Sequence, residues 1–254
     1  MKLVVKIGTS TLAHAGGGLN IRRTEELCKT LSDLKNAGHQ VIMVSSGAIG
    51  MGTGKLSLKE RPKDIATKQA AAAVGQCELM YTYDKLFSEY NHTVAQILVT
   101  ASDFRHEERH QNFTITLERL LELGCIPIIN ENDTIATEEI VIGDNDTLAA
   151  IVATSVQADL LVMLSDIDGL YTADPRKDPS AELIREVHAL DASVLSLGGG
   201  SGSELGTGGM KTKLSAAQIC KAGKCDMIIA NGADPQVLYT IMDGGQAGTR
   251  FYAD

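Results

Sequence analysis

The stretch Gly206-Thr-Gly-Gly-Met-Lys-Thr-Lys213 has the residue types of an anion cradle. It follows the Gly/Ser run that begins at Leu197 and leads into Leu214-Ser-Ala-Ala-Gln-Ile-Cys-Lys-Ala, which reads as a helix. Glycines let backbone N–H groups approach an anion closely, and a helix N-terminus adds partial positive charge. Lys211 and Lys213 complete the cradle. No Gly-x-x-x-x-Gly-Lys-Ser/Thr frame fits here, so this is a phosphate loop of another kind. A second cation stands at the other end of the chain. Lys6 lies in an apolar strand, where an ammonium is costly unless it reaches the strand end. The small turn Gly8-Thr9-Ser10 follows it, as a phosphoryl site requires.

Polar side chains gather at other points too. Gly143-Asp-Asn-Asp146 precedes a helix, and Asn145 or Asp146 is a candidate cap. One cap needs one side chain, so spare carboxylates at Asp144 and Asp146 remain for orienting a lysine or for Mg²⁺. Ser46-Gly47-Ala48 reads as a turn after a strand, and Asn130-Glu-Asn-Asp133 as a loop whose side chains bond to their own backbone. Ser165-Asp166 ends a buried strand, and Tyr171-Thr-Ala-Asp-Pro175 offers an aromatic face and a rigid turn for an adenine or ribose. His106-Glu-Glu-Arg-His110 matches the His-Glu-x-x-His zinc pattern, but its helix is polar and no third ligand stands at a sensible distance. A solvated helix face explains it better.

The elements that must position these groups alternate. Strands are expected at 3–7, 41–45, 93–99, 126–130, 160–164 and 227–230. Helices are expected at 22–36, 64–90 (interrupted by Gly75), 107–123, 147–156 and 213–222. Apolar strands in this order predict a three-layer αβα sandwich around a mainly parallel sheet. Ligands of such sheets sit at the carboxyl ends of strands. Lys6–Ser10, Ser45–Gly47, Asn130–Asp133 and Ser165–Asp166 all fall there, which makes one site a better explanation than four coincidences. Residues 171–212, with two Asp-Pro pairs and the glycine run, are the loosest part and are expected to form a lobe.

Composition agrees with that architecture. The chain has 254 residues, 44% of them hydrophobic, with aromatics at 4% and no Trp, so its core rests on Ala, Val, Ile and Leu. A net charge of −9 argues against nucleic acid as the main partner. The five cysteines form no Cys-x-x-Cys pair and are expected to be buried free thiols in a reducing cytoplasm. No apolar run approaches the roughly 18 residues of a membrane span, and the stretch before Lys6 is too short for a signal peptide, so none is expected.

Taken together, the motifs resemble the amino-acid kinase superfamily, most closely its glutamate 5-kinase (γ-glutamyl kinase) branch. The resemblance is carried nearly end to end by Val4–Ser10, Val44–Ile49, Lys68–Gln76, Ile129–Asp133, Val141–Asp146, Gly169–Pro175 and Gly206–Lys213. It implies the amino-acid kinase fold and transfer of phosphate from ATP, with Mg²⁺, to the γ-carboxylate of L-glutamate, the first step of proline synthesis. It assigns glutamate to Ser46, Gly47, Asp133 and Asn145. It assigns ATP to Lys6, Gly8, Ser165, Asp166 and the segment Thr207, Gly208, Gly209, Met210, Lys211, Thr212 and Lys213. Lys6 and Lys213 would flank the transferred group, and Asp144 and Asp146 would position the lysines or Mg²⁺. A carboxylate nucleophile is ionised at neutral pH and needs no general base, which agrees with the lack of histidine among the motifs.

The resemblance further implies one kinase domain over residues 1–254, with a glutamate part at about 1–150 and an ATP part at about 151–254. Many members carry an additional C-terminal PUA-type domain, for which no residues remain after Gly248-Thr-Arg-Phe251 and the last three positions. A homo-oligomer, feedback inhibition by proline and hand-over to glutamate-5-semialdehyde dehydrogenase are family expectations. Relatives acting on N-acetylglutamate, aspartate or UMP are the alternatives within enzymes; Lys6-Ile-Gly-Thr-Ser10 argues against the first and last, and the regulatory ACT domains usual in aspartate kinases, for which no length is expected here, against the second. A non-catalytic nucleotide-binding protein of the same fold is the alternative outside enzymes, and the presence of both Lys6 and Lys213 argues against it.

Overall fold

The structure, a computed structural model, describes residues 1–14, 18–136, 145–199 and 209–253. The chain begins with β1 (Lys2–Ile7), α1 (Thr9–Leu12), α2 (Ile21–Asn36) and β2 (Gln40–Ser45). It continues through α3 (Ala48–Lys55), α4 (Ile65–Ser88), β3 (Val94–Val99), α5 (Ala101–Arg105), α6 (Glu107–Glu122) and β4 (Ile126–Glu131). Next come α7 (Asn145–Ser155), β5 (Leu160–Ser165), β6 (Leu170–Tyr171), β7 (Leu183–Ile184), β8 (Glu186–Val187) and α8 (Ala192–Ser196). The last elements are α9 (Met210–Ala222), β9 (Asp226–Asn231), α10 (Val237–Met242) and β10 (Thr249–Phe251).

Eight strands form one sheet in the order β3-β4-β2-β1-β5-β9-β10-β8, and only the β9–β10 pairing is antiparallel. β1 lies between β2 and β5, so the first strand of the chain is central and both its faces are covered. Its alternation decides where its lysine goes. Leu3, Val5 and Ile7 pack with α2 and α4 on one face of the sheet. Val4 packs on the opposite face, with residues of α7 and α9. Side chains two apart share a face, so Lys6 joins Val4 on the α7/α9 side.

Three differences from the sequence expectation bear on the site. The segment after β2 is the helix α3 rather than a turn, entered through Gly47 at φ +108°. Its glycines make it a poor helix former alone, and packing on α4 supplies what propensity lacks. A Cβ on Gly75 would lie 1.8 Å from the Ala48 carbonyl oxygen, and one on Gly52 1.8 Å from that of Ala71. Gly75 therefore does not interrupt α4, which runs on through it; it admits α3 at close range. Thirdly, α7 and α9 begin earlier than expected, so Asn145 and Asp146, and likewise Met210 to Lys213, lie in first helical turns. The residue before α9, Gly209, offers no side-chain cap, and Asp146 and Lys213 are buried in these first turns.

The loose region after residue 170 is tied in more closely than a lobe. β6 and β7 form a small antiparallel sheet of their own, but β8 adds to the edge of the main sheet beside β10. Of the cysteines, Cys28, Cys220 and Cys225 are buried free thiols, whereas Cys125 is half-buried and Cys77 is exposed on α4. Among the described residues no helix is long and apolar enough to cross a membrane.

Candidate active site

The parallel strands β1, β2, β4, β5 and β9 end at one rim of the sheet, and the polar motifs collect there. At the centre Lys6 Nζ lies 2.6 Å from Asp146 Oδ1, and Lys213 Nζ lies 3.0 Å from Asp146 Oδ2. All three side chains are buried, Asp146 completely. Residues from β1, α7 and α9 thus meet through one carboxylate. Thr212 Oγ1 stands 2.9 Å from Asp146 Oδ2 and 2.7 Å from the Gly209 carbonyl, and its single proton serves one of them at a time. Asp146 also sits in the first turn of α7, where a helix favours negative charge. Burial alone would raise its carboxyl pKa; the adjacent Lys6 and Lys213 ammonium groups outweigh that and hold it at about 2. Among the described residues two cations meet one anion in a buried place, an arrangement that suits a phosphoryl group.

Gly8 stands beside this cluster. A Cβ there would lie 3.7 Å from Lys6 Nζ, so its absence keeps the approach to the lysine open. Gly209 is the residue before α9, has extended backbone and carries no side-chain cap. Among the described residues no side chain caps the first N–H groups of that helix, the place where an anion cradle would use them. Met210 and Thr212 are half-buried and Lys211 is exposed. Thr207 and Gly208, and Asp144 among the acidic candidates, lie outside the described residues.

On the other side of the rim Asn145 donates from Nδ2 towards three acceptors. These are the Ser45 carbonyl at 2.7 Å, Ser46 Oγ at 2.8 Å and Asn130 Oδ1 at 2.9 Å. A backbone carbonyl only accepts, so the amide nitrogen must face it, and Asn145 Oδ1, an acceptor, points elsewhere. Gly47 starts α3 with no side-chain cap. Asp133 lies in the turn after β4; burial raises its carboxyl pKa, and Arg61 counters this in part. A carboxyl whose ionised form is disfavoured by burial, with Arg61 offsetting that only in part, gains from an ammonium ligand. Beside Ser46 and Gly47 opens a cavity of about 270 Å³, lined also by Ser10, Met51, Arg61 and Leu79.

Ser165 and Asp166 stand at the end of β5, with Ser165 Oγ 3.3 Å from Asp166 Oδ1 and the Arg176 guanidinium 3.3 Å from Asp166 Oδ2. Sequence reasoning missed Arg176, and it missed Asn231 at the end of β9, whose amide donates to Asp168 Oδ1 at 2.7 Å. Tyr171 donates to the other oxygen of Asp168 at 2.9 Å. The apolar run 227–230 followed by Asn231-Gly232 marks a fifth strand end, and the same rule that selected the other four would have found it. Gln76 was passed over as part of an alanine-rich helix. The His106–His110 pair is used structurally in part: His110 Nε2 lies 2.7 Å from Ser155 Oγ, and its ring packs edge-on to Phe104. Among the described residues no group of three acidic, His or Cys side chains is placed to hold a metal, and both Asp146 oxygens face lysines.

Residues 1–231 match the model of the amino acid kinase family. A glutamate 5-kinase from Clostridium perfringens is 49% identical over 256 aligned residues, spanning 99% of this chain and 95% of that protein. One from Listeria welshimeri is 51% identical, spanning 98% and 92%. Among solved structures, isopentenyl phosphate kinase from T. acidophilum superposes with a TM-score of 0.69 at 19% identity, covering 99% of this chain and all of that one. UMP kinase from Bacillus anthracis gives 0.67 at 15% identity, covering 100% and 96%. At those identities the two structures speak for the fold.

Proposed function

We infer that this chain, which belongs to the amino acid kinase family, transfers the γ-phosphoryl group of ATP to the γ-carboxylate of L-glutamate. The observation that carries the reading is the buried Lys6–Asp146–Lys213 cluster at the strand ends of a chain about half identical to glutamate 5-kinases. A γ-carboxylate oxygen attacks the γ-phosphorus, the bond to the β,γ-bridging oxygen breaks, and ADP leaves with that electron pair. The product is an acyl phosphate. The nucleophile is already ionised, so the protein's work is positioning and charge stabilisation.

In this reading Lys6 and Lys213 flank the phosphoryl group, and Asp146 keeps the two ammonium groups together against their repulsion. Asp133 and Asn145 Oδ1 are acceptors facing the α-ammonium of glutamate, with Ser46 and Gly47 beside them. Ser165, Asp166, Gly8 and the Thr207–Lys213 segment serve the nucleotide. Both Asp146 oxygens face lysines, so Mg²⁺ would be held chiefly by the phosphates it accompanies, where it would supply neutralisation of phosphate charge. We place the glutamate part within about residues 1–150 and the ATP part within about 151–254 of one domain. A cytoplasmic homo-oligomer, inhibited by proline and passing its labile product to glutamate-5-semialdehyde dehydrogenase, extends the same proposal.

The test is ADP release with L-glutamate, N-acetyl-L-glutamate, L-aspartate and UMP, with hydroxylamine present to trap the acyl phosphate. Hydroxamate from L-glutamate at a rate matching ADP release is expected. Turnover of another acceptor without L-glutamate would overturn the assignment.

A further inference from the structure

The helix α4 touches the glutamate side of the rim at three points. Gln69 Nε2 donates to the Ala136 carbonyl at 3.2 Å, Asn130 Nδ2 donates to Gln76 Oε1 at 2.8 Å, and Tyr83 OH lies 2.8 Å from Ser45 Oγ. These positions are seven residues apart, which is two turns, so the three side chains form a stripe along one face. Each meets a different segment. Gln69 reaches the end of the 132–136 turn that carries Asp133. Gln76 reaches Asn130, which in turn faces Asn145. Tyr83 reaches Ser45, the neighbour of Ser46.

The direction of each bond follows from groups whose roles cannot change. The Glu131 N–H donates to Asn130 Oδ1 at 2.9 Å, so that atom is the oxygen and Asn130 Nδ2 must point to Gln76. Gln76 then presents Oε1. Asn130 Oδ1, held in place, faces Asn145 Nδ2 together with the Ser45 carbonyl. Ser45 Oγ donates to the Ser46 carbonyl at 3.2 Å, so it accepts from Tyr83 OH. Asn130 Oδ1, Asn130 Nδ2, Gln76 Oε1 and Ser45 Oγ are thus each fixed by a neighbour, and Asn145, with Nδ2 held by this run, has its Oδ1 as the acceptor. Gln76 and Asn130 are 8% and 2% exposed and Tyr83 is fully buried, so water cannot replace a lost partner.

We propose that Gln69, Gln76 and Tyr83 are positioning residues for glutamate: a polar stripe on α4 that sets the three segments bearing Asp133, Asn145 and Ser46. None of the three need touch the substrate. The stripe orients two acceptors, Asp133 and Asn145 Oδ1, towards a donor-rich ligand end, which is a free α-ammonium and not an acylated nitrogen. The proposal rests on the glutamate reading above and deepens it. Nothing comparable from α4 reaches Lys6 or Lys213 among the described contacts, so the stripe should act on glutamate and not on ATP.

The experiment is steady-state kinetics on the full chain with Gln76→Met, Gln76→Glu and Tyr83→Phe. Gln76→Met keeps the shape and removes the acceptor. We expect KM for glutamate to rise by about tenfold, with kcat within about threefold and KM for ATP unchanged. Gln76→Glu retains an acceptor oxygen and should recover most of the loss. Tyr83→Phe removes one donor and little volume, and should raise KM for glutamate by about threefold. The preference for glutamate over N-acetyl-L-glutamate should shrink in Gln76→Met. A merely structural role would lower kcat through loss of active protein and leave KM alone. That outcome, an equal rise in both KM values, or wild-type KM in Gln76→Met would overturn the proposal. If Gln76→Met does not fold, Tyr83→Phe decides the matter on the same criteria. Wild-type hydroxamate formation with L-glutamate tests the underlying reading separately.

Discussion

At the end of the site assigned to the phosphoryl group, Lys6, Asp146 and Lys213 are charged, buried and 2.6 to 3.0 Å apart. At the end assigned to the amino acid, Gln76, Asn130 and Asn145 are neutral amides, joined at 2.8 and 2.9 Å. Buried charges hold each other strongly but leave a large penalty when one partner is removed. Neutral amides hold geometry at a smaller cost per bond. The first arrangement suits a place where charge develops during reaction, and the second a place where a ligand must be read. A third kind of contact, the exposed Arg176–Asp166 pair at 3.3 Å, borders the nucleotide side and holds little by itself.

That contrast can be broken at each point. Lys6→Ala and Lys213→Ala should each lower kcat by about 10²-fold or more, because each removes a cation from the transition state and leaves Asp146 with one partner fewer. ADP release at saturating substrates measures this, and a wild-type kcat in folded protein would remove that lysine from the mechanism. Asp133→Ala comes next. It should raise KM for glutamate by about tenfold or more and leave KM for ATP unchanged, and an effect confined to ATP would contradict its placement. The smallest effect is expected from Arg176→Ala: a change in KM for ATP within about fivefold, since an exposed ion pair contributes about 1 kcal/mol at most. A loss as large as that of the lysine variants would show that the nucleotide side is held as firmly as the phosphoryl end.

The sheet and most of its helices were legible because apolar runs with sharp polar ends are local signals. The run 160–164 ending in Ser165-Asp166 names both a strand and a rim of the site. The helix α3 was not legible: Gly47, Gly50, Gly52 and Gly54 argue against a helix, and only the close approach of α4 through Gly75 makes one. Lys6 and Lys213 were found by residue type, and Asp146 was legible, with Asp144, as a carboxylate that positions a lysine or Mg²⁺. That it bridges both lysines was not legible, because the bridge depends on the packing of α7 against α9. Gln69 and Gln76 lie in the Lys68–Gln76 motif that carries the resemblance, but no role attached to them, because an amide within an alanine-rich helix has no local mark of function. Gln69, Gln76 and Tyr83 at a spacing of seven form a pattern that could have been sought.

The most direct measurement follows an oxygen atom. If glutamate labelled with oxygen-18 in its γ-carboxylate attacks the γ-phosphorus, the acyl phosphate carries one labelled oxygen between carbon and phosphorus. Hydroxylamine attacks the carbon of that mixed anhydride and releases phosphate. The account predicts that this phosphate holds one atom of oxygen-18 in step with hydroxamate formed. Phosphate without label, released in step with ADP, would mean that water and not the glutamate carboxylate receives the phosphoryl group, and would contradict the account.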